Sequence, residues 1–511
     1  MLEDNGNAAD ADTYPELLAT ATAGTNFVSL YLTDNEEIYS SATAANHTKI
    51  AMGAQPWEGL SEASKAVVNA LLVANGNTAE NDTYPELLAQ ANNLQSAADD
   101  FVNTYLTGTN GIYKTPVASN NDQILSGAEA WDELSDDVKA IINDALADNG
   151  NAEAYDTYPE LLAAAGEQAA NAAAFVAAYL TDGESIISAP SADTAAQVIA
   201  GNDAWNELTT EEQLLVDAAL ADNGNVQPFD TYEGLYTHSR AIQFAQDFLS
   251  DDEGALYDGA NASNALQIVS GEETWNTFSQ REKDLVNDML ANNDNPADAD
   301  TYEELLEAAS TMSDSAQGFI DRFLTDVEGV IHSAVNANNY EQIIAGEEEW
   351  PALGEQPQEI VNGALANNGN ATANDTYPEL LAQAKQLSEA VKGFLAEFAS
   401  DAAGNLFNKA TEDNYEQILS GQNVWDTLTD DERAAINARI AQNAEEHGGA
   451  TSFTELLAQA NDVKDSLSGI EVYRLYNPGS GDHLYTASAE ERQIVIRAGW
   501  RDEGVAFVAP S

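Results

Sequence analysis

The chain is predicted to be mainly α-helical, a tandem array of small three-helix bundles ending in a short α+β module. Three observations predict this. The phrase Asp-Thr-Tyr-Pro-Glu-Leu-Leu-Ala runs from Asp12 to Ala19 and returns at Asp82, Asp156 and Asp375, with looser copies at Asp230, Asp300 and around Phe453. Six of the seven tryptophans (Trp57, Trp131, Trp205, Trp275, Trp350 and Trp425) follow at spacings of 74, 74, 70, 75 and 75, each four residues after a glycine. Between these landmarks apolar residues recur in steps of three and four, the period of a helix with one buried face. Two independent landmarks sharing one period mark a repeat architecture, whereas an active site is normally written once.

Each repeat begins with a long helix. Thr13 is placed to cap it, Glu16 stands three residues on to return the hydrogen bond, and Pro15 lies in the first turn, where its missing N–H costs nothing. The same box recurs at Thr83/Glu86, Thr157/Glu160, Thr301/Glu304, Thr376/Glu379 and Ser452/Glu455, and fails at Thr231, where Gly234 replaces the glutamate. The second copy carries its stripe on Leu87, Leu88, Ala91, Leu94, Ala98, Phe101, Val102, Tyr105 and Leu106. Its closing aromatic pair, four residues apart, recurs from Phe27/Tyr31 to Phe394/Phe398. A helix of about 25 residues spans roughly 37 Å. After a polar loop, a shorter helix is expected over 122–134 with Ile124, Leu125, Trp131 and Leu134 inward. A third helix starts at Ser135, Thr209, Ser279 or Thr429 and stops at an Asn-Gly signal such as Asn149-Gly150.

Three striped helices can close around one core, but a domain of ~70–75 residues is marginal alone, so neighbours are expected to touch and stabilise one another. The opening Met-Leu-Glu-Asp-Asn-Gly-Asn reads as the tail of a third helix, so the chain is expected to begin inside a repeat. The expected units are a truncated leader at 1–33, helical repeats at 34–107, 108–182, 183–250, 251–326, 327–400 and 401–468, and a partial α+β module at 469–511.

Composition narrows the function. The 87 acidic residues outnumber 18 basic ones, a formal net charge of -69, and such a surface repels nucleic acid and anionic lipid. Without cysteine there are no disulfides, thiol catalysis or thiolate-ligated zinc. No apolar run approaches the ~20 residues of a membrane helix, so no membrane insertion is expected.

From Gly469 the pattern changes. Ile470 to Tyr476 reads as a strand, Pro478-Gly479-Ser480-Gly481 as a turn, His483 to Thr486 as a second strand, and a helix follows the Ser488/Glu491 box before a last strand at 504–508. The stretch resembles an uncharacterised repeat of about forty residues found in secreted bacterial proteins, often beside hydrolase or adhesin regions. The residues carrying the resemblance are Tyr473, Leu475, Tyr476, Asn477, Pro478, Gly481, His483, Tyr485, Thr486, Glu491, Arg492, Gly499, Trp500, Glu503 and Gly504. Such repeats come in several copies; here there is one. The helical repeats, through the Thr-Tyr-Pro-Glu-Leu-Leu box, the aromatic pair and the Gly-to-Trp step, resemble tandem three-helix modules of Gram-positive cell-surface proteins. That resemblance implies an extracellular, surface or secreted location rather than an activity.

Chemistry is sparse. His47, His238, His332 and His447 hold no equivalent places in the repeats and read as incidental surface residues; His483 belongs to the C-terminal motif. Exposed indoles would suit sugar stacking, but the repeated tryptophans fall in step with Ile and Leu and read as core anchors. Carboxylate pairs carry little weight among 87 acids. The Asp-Asn-Gly-Asn linkers use calcium-loop residue types, with Asp4-Asn5-Gly6-Asn7, Asp10 and Asp12 the richest. They lack the order and distal Glu of an EF-hand, so solvated turns are the stronger reading and Ca2+ the weaker. There is no Walker loop, GxGxxG, GxSxG or HExxH. No enzyme activity and no other cofactor are expected. The candidate ligand contacts are Tyr473, His483, Tyr485 and Trp500 in the C-terminal module. The expected function is an acidic helical stalk of a bacterial surface or secreted protein, with that module meeting a host or cell-wall glycan or protein. One alternative is an accessory region of a larger secreted hydrolase; another is a surface-layer or adhesive array adapted to high salt.

Overall fold

The computed structural model describes residues 13–293 and 295–509. The chain is mainly helical, with a small three-stranded sheet at its C-terminal end. It divides into two compact units, one running through Gln243 and including Gln280–Leu285, the other made of Phe244–Ser279 and Val286 onward. The third-helix tail and the richest Asp/Asn linker expected over residues 1–12 lie outside the described residues.

Four of the expected long-helix boxes form as written, while at Thr376 the hydroxyl donates to Glu379 at 2.8 Å but no bond to the cap backbone forms. Thr13, Thr83, Thr157 and Thr301 cap the long helices that start at Tyr14, Tyr84, Tyr158 and Tyr302, each with its glutamate returning to the cap backbone. At the last copy Glu455 returns instead to the N–H of Thr451, 2.7 Å away. A neighbouring helix adds a further cap: Asn69, Asn143, Asn287 and Asn362 each accept the N–H of the tyrosine that opens the next long helix, at 3.0–3.1 Å.

Each core is built from parts of two successive long helices. The second core takes Ala98, Phe101 and Val102 from Tyr84–Tyr105, then Ile124, Trp131, Ile142 and Leu146, and finally Tyr158, Leu161 and Ala165 from the following long helix, Tyr158–Tyr179. The start of Tyr84–Tyr105 belongs to the core before, through Tyr84, Leu87 and Ala91. The long helix therefore serves two cores. Along Tyr377–Phe398 the buried stripe is unbroken and two cores merge. Inside each core an aromatic trio meets: Phe101, Trp131 and Tyr158 lie 4.8–5.6 Å apart by ring centroids, with Phe101 edge-on to Tyr158. The tryptophans are core anchors. The long helix Tyr158–Tyr179 is long and apolar enough to cross a membrane by length and composition, but packs its two ends into two cores.

The expected single helix at 122–134 is in fact two, Asn121–Ser126 and Ala128–Glu133, broken at Gly127. The break sits where the ring that opens the next long helix comes closest, and it recurs at Gly421, where that ring is Phe453. Tyr158 Oη donates to the carbonyl of Ile124 at 2.8 Å, and a Cβ on Gly127 would stand 2.7 Å from that hydroxyl and 3.0 Å from Tyr105. The bond recurs from Tyr84 to Ile50 and, in the other unit, from Tyr302 to Ile268 and from Tyr377 to Ile343. The Gly-to-Trp step marks this close approach.

The polar loop after each long helix is a short antiparallel hairpin, as at Thr107–Gly108 with Gly111–Ile112. In later copies it shrinks to single bridges, Ser250 to Leu256, Thr325 to Ile331 and Ser400 to Leu406. There one residue is added, and an aspartate stitches the turn: Asp326 Oδ1 accepts the N–H groups of Glu328 and Val330, both at 2.9 Å. The added residue accounts for the 75-residue spacings, and a helix of 17 residues in place of 22, Tyr232–Phe248, accounts for the spacing of 70 between Trp205 and Trp275.

The Asn-Gly stops end the third helices with glycine at positive φ, +85° at Gly76 and +77° at Gly150. The flanking asparagines have their own work. Asn149 donates to the carbonyl of Ile112, and Asn151 to those of Tyr113 and Tyr155, at 2.8–3.1 Å. These amides pin the hairpin to the linker. Loops also reach the next repeat within a unit: the N–H of Ala44 meets Asp137, that of Ala118 meets Glu211, and in the other unit that of Ala262 meets Gln356, at 2.7–2.9 Å.

Two measurements check this packing. Gly127→Ala should lower stability by about 1–3 kcal/mol through overpacking, whereas Gly166→Ala, on an open stretch of helix, should raise it by about 0.5–1 kcal/mol; urea unfolding reads both. A fragment ending at Asn151 lacks Tyr158, Leu161 and Ala165 of the second core, so it should melt well below one ending at Tyr179 when followed by far-ultraviolet circular dichroism.

Candidate functional site: the open face of the C-terminal sheet

In the repeats, His47 and His238 are held by packing, while His447 is exposed. His47 is not a surface residue: it is buried, with Nδ1 2.7 Å from the carbonyl of Ala44 and Nε2 2.9 Å from Gln95. His238 is half-buried, bonds the carbonyl of Gly234 at 2.8 Å and stands edge-on to Phe229; burial pulls its pKa down. Around it lies a shallow cavity of about 350 Å³ where the box fails, lined by Pro228, Thr231, Gly234, His238 and Arg281 among others. Gly234 is required there, since a Cβ would fall 1.6 Å from the carbonyl oxygen of Pro228. Among the described residues no three or more His, Asp or Glu side chains gather as metal ligands would.

The C-terminal module is different. Its sheet has the order His483–Thr486, Ile470–Tyr476, Arg501–Ala509, all antiparallel, and the last strand starts three residues earlier than the expected 504. The Asn-Pro-Gly-Ser-Gly turn closes because Asn477 Oδ1 accepts the N–H groups of Gly479 and Ser480 and Gly481 takes φ +79°. The helix Ala489–Arg497 is capped by Ser488 and covers one face of the sheet. On that face Leu475 is fully buried, Thr486 Oγ1 donates to Glu491 at 2.6 Å, and Arg492 stacks 4.0 Å above the Tyr473 ring while pairing with Asp502 at 2.7 Å.

Residues of the opposite parity point the other way, and no element among the described residues covers them. Tyr476 packs on His483 at 5.0 Å and Tyr485 near Phe507 at 6.2 Å between ring centroids. Between these pairs Arg474 Nε meets Glu503 at 2.5 Å, with His483 Nε2 3.3 Å from the same carboxylate oxygen. Hydrogen bonding from Arg474 holds the Glu503 carboxyl below its ordinary range. A cavity of about 670 Å³ opens among Arg474, Tyr485, Glu503, Val505, Ala506 and Phe507. Tyr485 and Phe507 remain 50% and 52% exposed, unusual for rings that could pack inward.

Of the four residues expected from sequence, His483 and Tyr485 share this open face. Tyr473 lies under Arg492 on the covered face, its hydroxyl bonded to Glu471 at 2.8 Å. Trp500 is half-buried in the turn before the last strand, its backbone N–H donating to the carbonyl of Val495 at 3.3 Å. Sequence reading missed Arg474, Tyr476, Glu503 and Phe507 as contacts. Strand parity could have found the first two, because Arg474 and Tyr476 pair with Tyr485 and His483 in register. Chemically the face offers a guanidinium, a carboxylate and an imidazole between apolar rings, an arrangement suited to holding a polar ligand.

A family model described as a domain of unknown function (DUF5648) matches residues 442–511. It takes in the end of the helix Asp430–His447, the helix Phe453–Ser468 and the whole sheet module. No curated protein and no solved structure matches the chain.

One titration is testable in the repeats. At Asp375, as at Asp82, Asp156 and Asp300, partial burial and then the adjacent capping glutamate raise the aspartate pKa. A carboxyl whose pKa rises on folding weakens the fold once ionised, and that cost disappears as pH falls below the ordinary value of 3.8. Asp375→Asn should therefore raise the melting temperature at neutral pH, and the gain should close on acidification through the carboxylate range.

Proposed function

We propose that this chain is a non-enzymatic structural and adhesive region of a bacterial surface or secreted protein. Its acidic helical repeats act as a stalk, and its C-terminal module is the end that binds, with glycan as the ligand class. The observation carrying this reading is a contrast in how side chains are used. The residues repeated along the chain are absorbed by cores, caps and hairpin ties, as with Tyr158, Trp131, Gly127 and Asn151. The open face of the C-terminal sheet leaves two aromatic pairs and an Arg–Glu pair facing solvent.

Charge supports the same division. Residues 469–511 hold six acidic and four basic side chains, so 81 acidic and 14 basic ones fall in the preceding 468 residues. Repeats of that charge stay soluble and avoid one another, while the near-neutral module can approach a surface.

The test is retention. The whole chain, at salt high enough to screen its charge, should sediment with insoluble polysaccharide or bacterial wall material and release no soluble sugar. Protein that stays in the supernatant across the panel, or sugar release, would overturn the reading.

A further inference from the structure

We infer that the open face takes an uncharged sugar through a vicinal diol, with Arg474 and Glu503 reading the hydroxyls and Tyr485 and Phe507 supporting the ring. This rests on the module being the binding end and goes further by fixing the ligand's charge and the residues that read it.

The polar centre decides the charge. Arg474 and Glu503 are already paired, and His483 leans on the same carboxylate. An acidic sugar would compete with Glu503 for the guanidinium, and a cationic one would compete with Arg474 for the carboxylate. Each leaves a charge without its partner, which is costly where solvent is displaced. A vicinal diol avoids this. One hydroxyl donates to a free lone pair of Glu503 and the other accepts from a remaining N–H of Arg474, so the ion pair survives. Long-range charge adds to the case against acidic ligands, since the chain carries a net charge of -69.

The flanks decide the shape. Tyr485 and Phe507 stand beside the ion pair, half-exposed and tilted by 38° to one another, with Val505 alongside. Such rings gain by covering the apolar C–H face of a pyranose, while the sugar's edge turns its hydroxyls to the charged pair. The cavity of about 670 Å³ lies within the range of small-ligand sites, about 300–1,000 Å³.

The experiment is calorimetry of the full chain with soluble oligosaccharides of matched length: neutral gluco- and manno-oligosaccharides, oligogalacturonate and oligoglucosamine, each at physiological and at molar salt. Neutral oligosaccharides are expected to bind, and the charged ones to bind weakly at both salts. Tyr485→Ala and Phe507→Ala should each weaken neutral-sugar binding about tenfold or more. Tyr485→Phe should keep most of it, and Ile494→Ala, exposed on the helix side, should leave it unchanged. Thermal unfolding confirms that each variant is folded. A preference for the acidic or the basic oligosaccharide overturns the inference while leaving a glycan-binding module standing. Neutral binding that survives both alanine variants overturns the assignment to this face. Absence of all oligosaccharide binding in protein that does sediment with wall material also overturns it, since the wall ligand is then not such a sugar.

Discussion

The tyrosine that opens each long helix is the contact on which the repeat depends. Tyr158 ties four other helices to its own: its ring meets Trp131 and Phe101, its hydroxyl donates to Ile124, and its N–H is taken by Asn143. Burial pushes its phenol well above the ordinary range, so the hydroxyl stays a donor. The last copy separates the two roles. Phe453 keeps the edge-on packing against Phe394 at 4.7 Å but has no hydroxyl to give, and a Cβ on Gly421 would still lie 2.9 Å from its ring. Ring packing is therefore common to the copies from Tyr84 to Phe453, whereas Tyr14 is exposed, and the hydroxyl bond is an addition to it.

Because that tyrosine comes from the following long helix, no repeat holds a complete core of its own. In the long helices between the first and the last, the first half closes the core behind and the second half opens the core ahead. Stability is then cooperative between neighbours, as nearest-neighbour arrays require. This matters for a chain so acidic. Self-repulsion acts on every repeat, and the opposing term is burial distributed over shared helices rather than a single large core.

Much of this was legible in the sequence, and the parts that were not share a cause. Helix starts were readable because capping is local: Thr83 and Glu86 are three residues apart. The break at Gly127 was not, because the ring that approaches it belongs to Tyr158, 31 residues later in the chain. The hairpin ties were hidden likewise, since Asn149 and Asn151 read as turn formers and possible calcium-loop residues until their amides are seen on Ile112 and Tyr113, 37 and 38 residues earlier. His47 resembled a surface residue because its partner, Gln95, lies 48 positions away. In the C-terminal module the strands could be read, but the choice of ligand contacts needed the helix Ala489–Arg497 to declare which face it covers.

That covering sorts the module's motif into two sets. Leu475, Thr486, Glu491 and Arg492 are accounted for by the fold, since each packs or bonds between helix and sheet. Gly499 and Gly504 are accounted for by backbone at φ +98° and +85°. Tyr476, His483, Tyr485 and Glu503 have no such account. They sit on the uncovered side, where a small sheet gains nothing by exposing rings and holding an ion pair in the open. On the reading proposed above, these uncovered side chains are the ones left to meet a ligand, while the covered set holds helix to sheet.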